Sequence, residues 1–194
     1  MLNPLIDEIS ALFSNSGKPF WLAGGYSIDL FLGTRTRAHD DIDFVIKRAD
    51  QLAFQEILAE WDLQAADPPG SATLFPWKNG HFYDLPVHNI WCRKNESAPW
   101  DLELLFSEFE GDEWVYRRNR SIRGTIKSFG WQHKSGLMVL APEIQLLYKS
   151  RSRRPKDLQD LENSLPKMSL PQKTHLRDWI VLDSGQSHSW VELI

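Results

Sequence analysis

The sequence predicts an α+β fold: a mixed β-sheet with flanking helices, followed by a mainly helical C-terminal part. Three observations predict it. Apolar residues recur at helical spacing in residues 4–13 (Leu5, Ile6, Ile9, Leu12, Phe13) and again at Phe54, Ile57, Leu58 and Trp61. They alternate at strand spacing in residues 42–46 and 100–106. Beyond residue 135, helix starts at Pro142, Pro155 and Pro171 follow one another. Two domains are therefore expected, 1–135 and 136–194.

Taken in order, Gly17 and Pro19 break the first helix and launch a short strand, Phe20–Ala23. Gly24-Gly25 turns the chain into a helix with Ile28, Phe31 and Leu32 on its apolar face and Gly33 as its stop. In the next strand Ile42, Phe44 and Ile46 take one face, while Asp41, Asp43 and Val45 take the other. Asp50 is placed to cap the following helix. A strand at Leu63–Ala66 stops at Asp67-Pro-Pro-Gly70, Asn79-Gly80 signals a hairpin, and Val87–Cys92 reads as a strand. Trp100–Phe106 is another, with Asp101, Glu103 and Leu105 on one face. Gly111-Asp112 turns into Trp114–Arg118 and an irregular basic stretch. The last three helices run from Pro142 to about Lys149, from Pro155, and from near Pro171 to before Gly185.

Two features point to chemistry; the first also reads as a plain tight turn, while the second has no folding explanation. A strand, a glycine turn and a helix start make a phosphate cradle, because glycine lets the backbone approach an anion and helix-start N–H groups point outward. Asp41 and Asp43, spaced i, i+2 on a strand, project the same way with α-carbons about 6.5 Å apart, and would repel each other without a cation. Such a pair suits a hard divalent cation shared with a phosphate. A carboxylate from a neighbouring strand would complete the site. Glu103, flanked by leucines, fits best, and Asp101 on the same face stays a second candidate.

A net charge of −4 and pI of 5.9 argue against coating nucleic acid by bulk electrostatics. Residues 111–156 nevertheless hold eleven of the 22 Lys and Arg against three acids, either a local anion-binding wall or a solvated basic face. One cysteine, Cys92, excludes an internal disulfide and a Cys-based zinc site. No apolar run approaches transmembrane length and no export signal opens the chain, so no membrane partner and a cytoplasmic location are expected.

Gly24-Gly25-Tyr26-Ser27-Ile28-Asp29-Leu30-Phe31-Leu32-Gly33, followed by Thr36-Arg37-Ala38-His39-Asp40-Asp41-Ile42-Asp43, resembles the polymerase-β-like nucleotidyltransferase superfamily. Within it, the chain resembles the aminoglycoside 2''-adenylyltransferase-like branch. Trp114–Arg118, Leu140–Lys149 and Lys156–Asp160 resemble blocks of that branch too. The resemblance implies the polymerase-β-like nucleotidyltransferase fold, with 1–135 as the catalytic domain and 136–194 as the helical one. It implies a nucleoside monophosphate, AMP from ATP or another NTP, moved onto a hydroxyl of an aminoglycoside- or lincosamide-like small molecule. Asp41 and Asp43 would hold Mg2+, and Glu103 or Asp101 would complete the site or accept the acceptor's proton. Gly24, Gly25 and Ser27 would cradle the phosphates, with Arg37 and Lys149 reaching them from outside the turn. Trp77, Trp91 and Trp131 are candidate walls of the acceptor pocket. The alternatives are a toxin-like enzyme acting on RNA or protein, and a degenerate nucleotide-binding module.

Overall fold

The structure, a computed structural model, describes residues 3–68, 73–152 and 154–194. The Asn3 side chain accepts the Leu5 N–H at 3.1 Å and Pro4 occupies the first turn, so α1 runs Pro4–Ser14. Strand β1 (Phe20–Leu22) leads through Ala23 into α2 (Gly24–Leu32). Gly24 opens that helix at φ 65° and Gly33 closes it at φ 70°, left-handed values that favour glycine. After β2 (Ile42–Lys47) comes a 3-10 turn, Arg48–Asp50, and then α3 (Gln51–Ile57). The expected Asp50 cap does not form. The turn leaves Asp50 at φ −96°, ψ 2°, outside the extended conformation a capping side chain needs, and its carboxylate pairs with Lys18 at 3.4 Å instead.

Strands β3 (Asp62–Ala66), β4 (Leu74–Pro76), β5 (Asn89–Arg93) and β6 (Leu102–Glu110) follow. The Pro69-Gly70 portion of the expected stop lies outside the described residues. Asn79-Gly80 makes a turn but no hairpin. A side-chain amide replaces the partner strand: Gln55 accepts from the Gly80 N–H at 2.7 Å and donates to the Lys78 carbonyl at 3.0 Å. Strand β6 excludes Trp100 and extends to Glu110.

The stretch expected to be irregular holds β7 (Glu113–Val115), β8 (Arg123–Thr125), α4 (Ile126–Phe129), β9 (Gly130–Gln132) and β10 (Met138–Leu140). Its two hairpins, β7/β8 and β9/β10, are too short for a sequence period to show. The chain then forms α5 (Pro142–Ser150), α6 (Pro155–Ser164) and α7 (Leu170–Ser184). A capping box between Ser169 and Gln172 starts α7.

These elements gather into two compact units. One comprises the chain up to Leu22 together with His39–Glu108. Its strands lie in the order β4-β3-β5-β6-β2-β1, with β2 and β6 parallel and the other neighbours antiparallel. Ile42, Phe44, Ile46, Leu102, Leu104, Ile90 and Cys92 are buried on one face of this sheet. Phe13 of α1 meets Phe44 and Phe54 edge-on at 5.3 and 5.0 Å. Arg48 pins the loop before β5, donating to the carbonyls of Tyr83 (2.9 Å) and Val87 (2.7 Å) and to Glu108.

The other unit comprises Ala23–Ala38 and Phe109–Ile194. Here α2 packs on α5 and α6, and α5 packs on α7. Trp114, buried on β7, meets Phe129 and Trp179 at ring distances of 5.6 and 5.7 Å. Several basic residues of this region are in ion pairs: Arg120 and Arg123 share Glu110, Arg151 grips Asp183 and Arg154 grips Asp157, which engages these four with acids rather than with an outside anion.

Candidate functional site

Alternation along two strands builds the acidic site. Phe44 and Ile46 turn one face of β2 into the core, so Asp43 must face the other way; Glu103 is placed likewise by Leu102 and Leu104 on β6. The parallel register pairs Asp43 with Glu103 and Ile42 with Leu102. Carboxylate oxygens of Asp41, Asp43 and Glu103 consequently lie within 4.8 Å of one another, all three residues half-buried. Asp101 stands outside this cluster, its backbone carbonyl accepting from the Ile42 N–H at 2.9 Å. Three hard oxygen donors at such spacing fit a divalent cation of the magnesium or manganese type.

Asn89 was not singled out in the sequence. Its side-chain Nδ2 donates to Glu103 Oε1 at 2.6 Å, while its Oδ1 is buried with no hydrogen-bond partner among the described residues. The amide can sit only this way round, since its oxygen would repel the carboxylate. A signal was present: an asparagine, beside His88, inside the strand segment Val87–Cys92 whose other residues are apolar. Trp91 stands opposite Glu103 in the β5–β6 ladder, on the acidic face, and its ring lies 6.5 Å from that of Trp100. Trp77 instead is buried against Phe106 at 5.7 Å. On the opposite face, burial first and then the nearby Glu103 charge push the Cys92 thiol far up.

The glycine turn belongs to the other unit. The buried Gly24 N–H donates to Gln145 Oε1 at 2.7 Å, and the Ser27 hydroxyl donates to the Gly24 carbonyl at 2.8 Å. Gly25 is half-buried beside them. Arg37 reaches Asp160 at 3.1 Å. Lys149 is 6% exposed and bonds Asp157 at 3.2 Å and Asp160 at 2.9 Å. Both cations are thus engaged with α6 carboxylates. Burial alone would raise the Asp157 carboxyl; the Arg154 hydrogen bond and the charges of Lys149 and Arg154 outweigh it and hold it below the ordinary range.

The sequence profile of the family described as aminoglycoside-2''-adenylyltransferase matches residues 5–97. Two curated proteins described as 2''-aminoglycoside nucleotidyltransferases, from Klebsiella pneumoniae and Escherichia coli, are each 40% identical to the chain over 57 residues. That match covers 28% of this chain and 32% of theirs, about a third of the relatives' length. Among solved structures, ANT(2'')-Ia in complex with adenylyl-2''-tobramycin is similar with a TM-score of 0.60 at 14% identity, covering 91% of this chain and 95% of that one. The lincomycin-bound lincosamide adenylyltransferase LnuA is similar with a TM-score of 0.58 at 17% identity, covering 87% and 99%. At these identities the likeness shows the fold, which is that of the nucleotidyltransferases. Among the described residues no helix is long and apolar enough to cross a membrane.

Proposed function

From a chain that resembles the aminoglycoside 2''-adenylyltransferase-like branch in sequence and carries the nucleotidyltransferase fold, we propose a metal-dependent nucleotidyltransferase. It moves a nucleoside monophosphate, AMP from ATP in the first instance, onto a hydroxyl of a small-molecule acceptor of the aminoglycoside or lincosamide kind. The observation that carries this reading is the convergence of Asp41, Asp43 and Glu103 within 4.8 Å.

In this proposal Asp41, Asp43 and Glu103 hold Mg2+. The cation, when bound, neutralises charge developing on the transferred phosphoryl group and the leaving pyrophosphate. Asn89 helps to orient the Glu103 carboxylate by donating to its Oε1. Glu103 is also the group proposed to take the proton from the attacking hydroxyl, with Asp101 its substitute. Phosphate binding is assigned to Gly24, Gly25 and Ser27. The Gln145 bond holds the Gly24 backbone in place, so positioning precedes binding. Arg37 and Lys149 are assigned to brace that unit through Asp160, with any phosphate contact secondary. An intact set of three acids favours an enzyme over a degenerate module, and paired arginines around Glu110 give no support to an RNA acceptor.

The test is incubation with α-labelled ATP, CTP, GTP or UTP and Mg2+ against aminoglycosides, lincosamides and total RNA. Label should pass to a small molecule from one nucleotide, and Asp43→Asn should stop it. Transfer undiminished in Asp43→Asn would overturn the assignment.

A further inference from the structure

Two consecutive arginines stand apart from the ion pairs of the later unit. Arg117 and Arg118 follow β7, lie wholly within Phe109–Ile194, and have no carboxylate partner among the described residues. The turn that carries them is tied down on both sides. The N–H of the fully buried Tyr116 donates to the Ile122 carbonyl at 3.0 Å, and the Asn119 amide donates to the Leu182 carbonyl of α7 at 2.9 Å. The backbone under the arginines is therefore fixed before any ligand arrives.

Tyr148 of α5 is their common neighbour. The guanidinium carbons of Arg117 and Arg118 lie 5.3 and 5.9 Å from the centre of its ring. Arg118 also donates to the Tyr116 hydroxyl at 3.3 Å and to the Tyr148 carbonyl at 3.4 Å, and Arg117 bonds the Tyr148 hydroxyl. All of these partners are neutral. A ring face attracts each cation without cancelling its charge, so the two guanidinium groups still repel one another. Arg117 is half-buried, and burial pulls its guanidinium down from the ordinary value; the Arg118 charge adds to the fall, against the pull of Tyr148. Asp183, whose charge reaches Tyr116, is already gripped by Arg151 at 2.6 and 2.8 Å. Two cations without an anion, beside a hydroxyl that has accepted and can still donate, are the complement of an oxyanion.

We propose that Arg117, Arg118 and the Tyr148 hydroxyl bind a phosphate group, as free phosphate or as a phosphate monoester. The guanidinium forks match pairs of phosphate oxygens, and the Tyr148 O–H donates to a further one. This site goes beyond the transfer reaction and stands without it, since none of its residues has a part in that proposal.

The experiment uses the full chain with 13C-labelled tyrosine rings, first without nucleotide, and with the Tyr148 signal assigned from Tyr148→Phe. Inorganic phosphate should shift the Tyr148 signal to saturation, and chloride at the same ionic strength should not. Glycerol 2-phosphate separates the two sources: weaker binding than phosphate marks a free anion, equal or tighter binding a monoester, and either supports the site. Arg117→Gln should lower phosphate affinity about 10–100-fold, the scale of lost charge-assisted hydrogen bonds. Arg117→Lys, which keeps the charge but not the fork, should lower it by less. The proposal is overturned if phosphate and chloride act alike or if Arg117→Gln binds phosphate unchanged. It is overturned too if Mg-ATP displaces the phosphate, which would make the arginines part of the nucleotide site. Should Arg117→Gln fail to fold, Arg118→Gln at the exposed neighbour takes its place, and unchanged phosphate affinity there overturns the proposal in the same way.

Discussion

Asp43 and Glu103 face one another across a parallel strand pair, so their like charges repel unless a cation lies between them. Removing one charge should therefore weaken cation binding and relieve repulsion together. Asp43→Asn is expected to lower Mn2+ affinity, read by electron paramagnetic resonance of the free ion, and to leave the melting temperature unchanged or higher. A fall in melting temperature with intact Mn2+ binding would show a structural role only. Asn89 acts at one remove, through its bond to Glu103. Asn89→Leu keeps the shape and deletes the donor, and should cost about 10–100-fold in Mn2+ affinity, the usual weight of a partner that orients a ligand. Unchanged affinity there, beside a loss in Asp43→Asn, would reject the positioning role and leave the acids standing.

At the level of elements, the start of α2 and the contacts of α6 carry the sharpest expectations. Gly24 is buried at φ 65° with its N–H bonded to Gln145, a conformation any Cβ opposes. Gly24→Ala should destabilise by about 1–2 kcal/mol, the left-handed penalty for an L-residue, measured by urea unfolding. Gly25 has no left-handed φ, so alanine there should cost stability less and serves as the control. Asp157 sets a pH dependence. A carboxyl held below its ordinary value when folded takes up protons more readily in the unfolded chain. Its stabilising effect is therefore present above the unfolded aspartate range, about 4, and is lost as pH falls through the lower folded value. Asp157→Asn should flatten stability between neutral and acid pH, and would strand Lys149 and Arg154 with one carboxylate fewer.

For the whole molecule, each of the two units packs a core of its own. Phe13 packs edge-on against Phe20, Phe44 and Phe54, tying α1 and α3 to the sheet of the first unit. Phe13→Ala should cost about 3–5 kcal/mol, as for a large aromatic removed from a closed core. Cys92, fully buried in that sheet with its thiol raised, reports on the same unit: alkylation by iodoacetamide should be negligible in the native protein and follow unfolding. In Phe13→Ala the alkylation rate should rise with the unfolded population. Fast alkylation of the unaltered native chain would mean the sheet opens locally.

Much of this could be read along the chain, because local rules act between neighbours. Proline and glycine punctuation marked α5, α6, α7 and the end of α2, and alternation put Asp41 and Asp43 opposite the apolar face of β2. Short-range spacing suffices there, as a side chain's face follows from its parity or helical phase. The three-residue strands of 113–140 left no period to detect, and Asn79-Gly80 was bound by a glutamine from α3 that no local rule points to. Strand register, which brings Glu103 rather than Asp101 to the acids and Asn89 to Glu103, came from packing of residues far apart in sequence. The burial of Lys149 among α6 carboxylates has the same origin. The sequence by itself therefore determined the longer elements, the family resemblance and the pair Asp41/Asp43. The third carboxylate's neighbours, the grouping of Ala23–Ala38 with the later chain and the meeting of Arg117 and Arg118 with Tyr148 were decided only in three dimensions, because burial and register are settled between distant segments.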